Sequence, residues 1–308
     1  MSDWHKVWYT QAMKIFIQQV VNGITTGSVY SLIALGYTMV YGIIELINFA
    51  HGEIYMIGAY AGLIVLTALG FAHLHGISML IIGLLAGMLL SAAYGFTIEK
   101  FAYKPLRRSS RLALLITALG VSISLQNFVM IGQGASDKSY PSVNMLNTVY
   151  SLYGVSITAN QIIILAVAVA IMIGLDLFIN RSMTGWAMKA ASQDMVTAQL
   201  VGINIDTVIS ITFIVGSALA GAAGVLVGFY YGIVNFYIGY LAGMKAFTAA
   251  VLGGIGDVRG AMIGGIMIGL FESLGAAYIS SDYKDAFAFI ILILLLLIKP
   301  SGLLGKDT

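Results

Sequence analysis

Four polar side chains stand in stretches otherwise suited to hydrocarbon: Asn48, His51 and Glu53 within the run INFAHGE, and Lys245 among small and apolar residues. Glu45 and Glu272 lie in similar surroundings. An ionisable group inside a membrane is costly unless it faces a bundle interior or water, so such residues mark either a solute path or a polar network that holds the bundle together. For a zwitterionic solute, Lys245 could meet a carboxylate and Glu53 an ammonium, and a helix N-terminus could replace the cation. The competing reading is structural. Asn48, His51 and Glu53 would satisfy broken helix ends or lie at a membrane face, and Lys245 would snorkel to an interface. His51 and Glu53 are two positions apart and point to different sides of a helix, and no second histidine completes a ligand set, so no metal site is expected.

Other chemistry is excluded by what the chain lacks. Without cysteine there is no disulfide, thiolate metal site or cysteine nucleophile. No Gly-x-x-x-x-Gly-Lys-Ser/Thr loop occurs, and Gly305-Lys306-Asp307-Thr308 has neither the preceding strand nor the following helix of a phosphate loop. Serine–histidine, His-Glu-x-x-His and paired-aspartate motifs are also missing, so no enzyme activity and no cofactor are expected. The glycine-rich run from Gly253 to Ala261, followed by Gly264 and Gly265, reads as a tight turn leading into a helix with a small-residue packing face.

The elements that position these residues must be membrane helices. Of the 308 residues 59% are hydrophobic and 9% charged, far below the roughly 25% charged of soluble domains, and mean hydropathy is +0.95. Apolar runs near 15–40, 52–72, 77–98, 112–132, 161–179, 208–230, 240–256, 260–279 and 285–298 predict an all-α polytopic protein of about eight to ten transmembrane helices. The start, with Trp4, His5, Lys6, Trp8 and Lys14, reads as an interfacial mixture rather than a cleavable signal. Lys100, Lys104, Arg107, Arg108 and Arg111 fill one loop, Arg181 and Lys189 a second region, and Lys299 and Lys306 a third. By the positive-inside rule these regions share the cytoplasmic side, while 132–160, 280–285 and the N-terminus are external. The loop at 100–111 serves as an orientation signal or binds anionic lipid. Tyr41-Gly42-Ile43-Ile44 and Tyr231-Gly232-Ile233-Val234 each close a long run and precede a segment broken by glycine and polar residues. That echo predicts an inverted repeat with interrupted or re-entrant segments meeting near the midplane. No linker divides residues 1–308, so one membrane domain is expected.

Between the apolar runs at 161–179 and 208–230 lies RSMTGWAMKAASQDMVTAQLVGINID, residues 181–206. Met188, Ala191, Met195 and Ala198 recur at helical spacing, which predicts one amphipathic helix of about three turns over 187–201, stopped at Gly202 and lying along the membrane face. This segment resembles the cytoplasmic coupling loop of permeases in the branched-chain amino acid uptake family of ABC importers. Ala190 and Ala191 occupy the Ala-Ala of the loose Glu-Ala-Ala-x-x-x-Gly consensus, Asp194, Ala198, Gly202 and Ile203 follow, and Lys189 replaces the glutamate. The resemblance extends over Asn22 to Glu53 and Tyr231 to Gly265, and so over nearly the whole chain.

The resemblance implies that Lys189, Ala190, Ala191, Asp194, Ala198 and Gly202 dock on an ATPase. It also implies a bacterial inner-membrane location and, as partners, two cytoplasmic ABC ATPases, a second and different permease chain, a substrate-binding protein and membrane lipid, with no nucleic acid. Leucine, isoleucine and valine are the implied substrates. Urea, short amides or another amino acid remain open, as does a self-sufficient channel or secondary transporter, though no paired Asn-Pro-Ala signature is present.

Overall fold

The computed structural model of the chain describes residues 3–70, 76–107, 109–141, 148–152, 154–299 and 301–305. Arg108, Lys306 and positions 71–72 of the second apolar run lie outside the described residues, as do the side chains of Trp4, His5, Lys6 and Trp8.

Eleven helices are described: α1 (Asp3–Ile44), α2 (His51–Ala68), α3 (Ile77–Ile98), α4 (Arg111–Gln133), α5 (Ala159–Arg181), α6 (Met183–Gln193), α7 (Met195–Leu200), α8 (Ile205–Tyr231), α9 (Ile238–Gly253), α10 (Val258–Tyr278) and α11 (Lys284–Ile298). Each of the nine apolar runs is one of these helices, and the chain is a polytopic helical membrane protein. Among the described residues α1, α3, α4, α5, α8 and α10 are long and apolar enough to cross a bilayer. The expected eight to ten is reached only by adding the shorter α2, α9 and α11, of 18, 16 and 15 residues. A π-helical turn (Glu99–Tyr103) and a 3-10 turn (Lys104–Leu106) extend α3. Four short strands, β1 (Lys138–Ser139), β2 (Val149–Leu152), β3 (Val155–Thr158) and β4 (Ile233–Val234), form two antiparallel pairs, β1 with β4 and β2 with β3.

Local chemistry sets the helix ends. Thr158 and Gln161 form a capping box on α5, and Ser110, Asn204 and Asp257 cap α4, α8 and α10 with their side chains. Gly232, at φ 70°, ends α8 in the left-handed conformation. The two breaks expected from the sequence are present. After α1, Glu45 takes φ 50°, uncommon for a residue with a side chain. Asn48 Oδ1 then accepts the Ala50 N–H at 3.1 Å and the Tyr103 hydroxyl at 2.6 Å. The chain thereby turns back into the bundle, and α2 begins with the His51 ring against Gly36 of α1. After α8, β4 and the Asn235 turn lead into α9, whose first residues meet the start of α2.

The basic segments gather at one end of the bundle. There Arg111 pairs with Glu45 at 2.7 Å, Lys104 with Asp206 at 2.8 Å and Arg107 with both Glu99 and Asp206, while Gly42 faces Gly256 in the α9–α10 turn. At the other end, β3 is tied to Gln18 of α1 through Ser156, and Asn235 to Asp137. Lys14 and Lys138 lie with this second group. As expected, the glycine run at 253–260 makes a tight turn, with Gly254 and Gly256 at φ 105° and 96°.

The neighbour relations carry the internal repeat. α3 lies along α8 and α2, just as α10 lies along α1 and α9. Ser91 and Gly95 of α3 meet Gly221 and Ser217 of α8, and Gly265 and Gly269 of α10 meet Ser31 and Gly27 of α1, antiparallel in both cases. Exchanging α1 with α8, α2 with α9 and α3 with α10 maps one set of contacts on the other. Small residues are needed because between helices in lipid it is backbone approach and van der Waals packing, rather than water release, that drives association.

A methyl group at Gly269 would collide with the backbone of Gly23 and Gly27, whereas one at Gly174 would meet nothing within 4 Å. Gly269→Ala is expected to cost about 1–3 kcal/mol and lower the melting temperature of the detergent-solubilised chain. Gly174→Ala should leave it unchanged or raise it, since alanine is the better helix former by about 1 kcal/mol.

Candidate functional site

The starts of α2 and α9 touch backbone to backbone, with Gly52 against Gly239 and Gly243. Three of the predicted path residues collect here. Asn48, His51 and Glu53 are each 1% exposed. Glu53 Oε1 accepts the Ser122 hydroxyl of α4 at 3.3 Å, and its Oε2 lies beside Gly239. The His51 ring packs edge-on to Tyr37 at 4.8 Å between centroids. Asn48 Nδ2, His51 Nε2 and Glu53 Oε2 have no hydrogen-bond partner among the described residues, although a buried polar atom left unpaired costs about 1–3 kcal/mol. A small cavity of about 10 Å³, lined by Tyr37, Tyr41, Ile47 and Phe247, lies on the far side of Tyr37 from His51.

Lys245 is set apart from this group. Its Nζ lies 2.7 Å from Glu272 of α10 and 2.6 Å from Asp285 of α11, with the Tyr30 hydroxyl of α1 at 3.3 Å. Tyr30 in turn donates to Glu272 at 2.8 Å. One cation between two carboxylates ties four helices together. Lys245 does not reach an interface by snorkelling, for it is 5% exposed. Glu272 was recognisable as an ionisable residue in an apolar run, and Asp285 as the acid at the start of one. Nothing in the spacing pairs them with Lys245.

The predicted single amphipathic helix is two helices. Asp194 breaks it by taking extended backbone (φ −158°) so that its Oδ1 accepts the N–H groups of Val196 and Thr197 at 2.8 and 3.2 Å. The Thr197 hydroxyl, with those two amides, holds the Asp194 carboxyl below its ordinary pKa. Gly202 does stop α7, at φ 92°, with the Ile203 N–H bonded to Ala198. Met188, Ala191 and Ala198 are buried within this chain, Ala190 is half-buried, and Lys189, Asp194 and Gly202 are exposed. Met195, the fourth residue of the predicted stripe, is 36% exposed. The small faces of Ala191 and Ala198 therefore pack on the bundle instead of pointing outward. The exposed apolar surface comprises Met183, Trp186, Val196, Leu200 and Val201, the last two 82% and 73% exposed. Its signal in the sequence was apolar residues lying off the Met188–Ala198 stripe.

A second ionic group fixes the start of α8 to the turns that extend α3. Buried Glu99 pairs with Arg107 and accepts the Ser210 hydroxyl at 2.8 Å, and Arg107 reaches Asp206 at 2.6 Å. A cavity of about 620 Å³ opens beside it, lined in part by Tyr103, Arg107, Gln199 and Asp206. Among the described residues no cluster of three or more His, Cys, Asp or Glu could hold a metal ion.

Comparison with known proteins places the sequence in a family. The profile of the family described as "Branched-chain amino acid transport system / permease component" matches residues 19–296. The high-affinity branched-chain amino acid transport system permease protein LivH of Escherichia coli (strain K12) is 48% identical over 295 residues, covering 94% of this chain and 96% of LivH. The corresponding permease protein BraD of Pseudomonas aeruginosa is 49% identical over the same shares. A solved structure, PsaBC from Streptococcus pneumoniae in complex with Fab, covers 94% of this chain at 14% identity and a TM-score of 0.45. On the match along almost its whole length, the chain belongs to the branched-chain amino acid transport system permease family.

Proposed function

We propose that this chain is a permease subunit of an ATP-driven importer that carries leucine, isoleucine and valine across the bacterial inner membrane. The observation that carries the reading is near-half identity, end to end, with permeases named for branched-chain amino acids. ATP is hydrolysed by two separate cytoplasmic subunits, because the sequence has no phosphate-binding loop. A second, related permease completes the membrane unit, and a binding protein outside the membrane delivers the substrate. The end bearing Lys104, Arg107 and Arg111 faces the cytoplasm.

In this reading α6 and α7 receive the ATPase. The exposed edge from Met183 and Trp186 to Val196, Leu200 and Val201 makes the contact, with Lys189, Ala190, Asp194 and Gly202 around it, while Ala191 and Ala198 seat the helices on the bundle. Solute passes where α2 and α9 meet. Two helix starts supply partial positive charge for a substrate carboxylate, and Glu53, with Asn48 and His51 beside it, receives the ammonium. Lys245 serves this path from behind, by holding α9 in place. In this reading the path is shut at the seam, where the nearby cavity is only about 10 Å³, and a shift of α2 against α9, driven from the cytoplasmic end, opens the way.

The permease pair without ATPases should accumulate no leucine in liposomes, and uphill uptake by it would refute the subunit reading. Leu200→Glu, on the exposed edge, should cost about 2 kcal/mol of docking, roughly a thirtyfold loss of ATPase co-purification, with an unchanged melting temperature. Ala191→Trp should instead destabilise the permease itself, and the opposite pattern would reverse the assigned faces.

Lys245→Met leaves two carboxylates facing each other and should cost about 3–5 kcal/mol, read as a lower melting temperature or loss of the protein. Glu53→Gln keeps shape and should spare stability while lowering leucine uptake by the assembled transporter at least tenfold. Unchanged uptake would remove Glu53 from the path.

A further inference from the structure

A cavity of about 360 Å³ lies at the basic end between the end of α1, the end of α5, helix α6 and the α9–α10 turn. Ligand pockets run from about 300 Å³ upward, so a small molecule fits. Its walls carry balanced charge: Lys189 of α6 and Arg259 of α10 against Asp176 of α5 and Asp257 of the turn. These groups are only loosely paired with one another. The Arg259 Nε–Asp176 distance is 3.5 Å, Lys189 donates to the neutral Asn180 at 2.5 Å, and Asp257 Oδ1 caps the Gly260 N–H at 2.7 Å. Ile43, Ile179 and Met188 supply an apolar floor. The wall also includes Thr38, 1% exposed, whose hydroxyl has no partner among the described residues, whereas Thr25 and Thr26 of the same helix bond back to the carbonyl four residues earlier.

We infer that this pocket binds a free aliphatic amino acid from the cytoplasmic side and thereby slows the transporter. Two cations and two anions around an apolar floor suit a ligand with a carboxylate, an ammonium and a hydrocarbon side chain, which is the chemistry of the transported substrate itself. The inference rests on the proposed function for the direction of transport and for the role of α6. Because the walls come from α6 on one side and α1, α5 and α10 on the other, a bound ligand links the ATPase-facing helix to the bundle. It stabilises whichever arrangement holds it best, here the shut one, and opposes movement of α6. A zwitterionic lipid head group shares the ammonium and the anionic oxygens, so the test separates the two sources.

The complete transporter is placed in phosphatidylcholine vesicles with the ATPases outward and with binding protein and labelled leucine in the lumen. Unlabelled leucine added outside should slow ATP hydrolysis and release of label at least about fivefold. Asp176→Asn and Arg259→Gln should keep the basal rate and lose the inhibition. Absence of basal release in the unmodified transporter would count against the proposed function, whereas normal release unaffected by external leucine would overturn the pocket. Inhibition by phosphatidylethanolamine but not by leucine would overturn the amino-acid assignment in favour of lipid. Should the variants fail to assemble, the permease in phosphatidylcholine nanodiscs decides, with Trp4 and Trp8 replaced by phenylalanine. Leucine must change Trp186 fluorescence saturably, and no change overturns the inference.

Discussion

Backbone amides cannot be left unpaired in hydrocarbon, and this chain interrupts two helices inside its bundle. Everything around α2 and α9 answers that constraint. The freed groups at the first break are taken by Asn48, whose side chain Tyr103 holds in place, and by the Glu45 turn, and those at the second by Asn235 and the β1–β4 pairing. The two helix starts also cover each other, Gly52 against Gly239 and Gly243, and the His51 ring lies against Gly36 of α1. Such cover requires close approach, and the contacts of α1 with α10 and of α3 with α8 are likewise made of glycine and serine.

The polar groups divide by what they leave unsatisfied. Lys245, Glu272, Asp285 and Tyr30 meet one another's bonding needs, and the result is a clamp whose worth lies in the cost of removing one member. Glu53, His51 and Asn48 each keep one buried atom unpaired at the seam between the interrupted helices. A fold that can satisfy four polar groups elsewhere keeps these open at some expense in stability. That openness is what the proposed solute contact at this seam would use.

The basic end joins the two halves of the proposed mechanism. α6 and α7 are seated through Met188, Ala191 and Ala198, and α8 begins within reach of the Glu99–Arg107–Asp206 group. Under the proposed function, motion applied to the outer edge of α6 and α7 would reach α8, and through α8 the seam that holds Glu53. Asp194 divides this segment into two helices.

Much of this was determined by the sequence alone. Long apolar runs located nine helices, most to within about four residues though α1 begins a dozen residues earlier than its run, because hydrocarbon permits a spanning chain few alternatives. The close of a long run at Tyr231-Gly232 and the glycine turn starting at Gly253 were readable from local residue types, and the motif around Ala190–Gly202, with INFAHGE and the glycine run, marked the family. Tertiary structure decided which faces meet. Lipid and protein interior are equally apolar, so a stripe such as Met188–Ala191–Ala198 does not tell the sequence reader whether it turns toward the bundle or toward a partner. The partners of Lys245 were hidden for a related reason, since ion pairing across helices depends on how the bundle folds back and not on spacing along any one helix. The split at Asp194 was hidden too: the choice between continuing a helix and capping a new one differs by only about 1 kcal/mol locally and is settled by how each piece seats on the bundle.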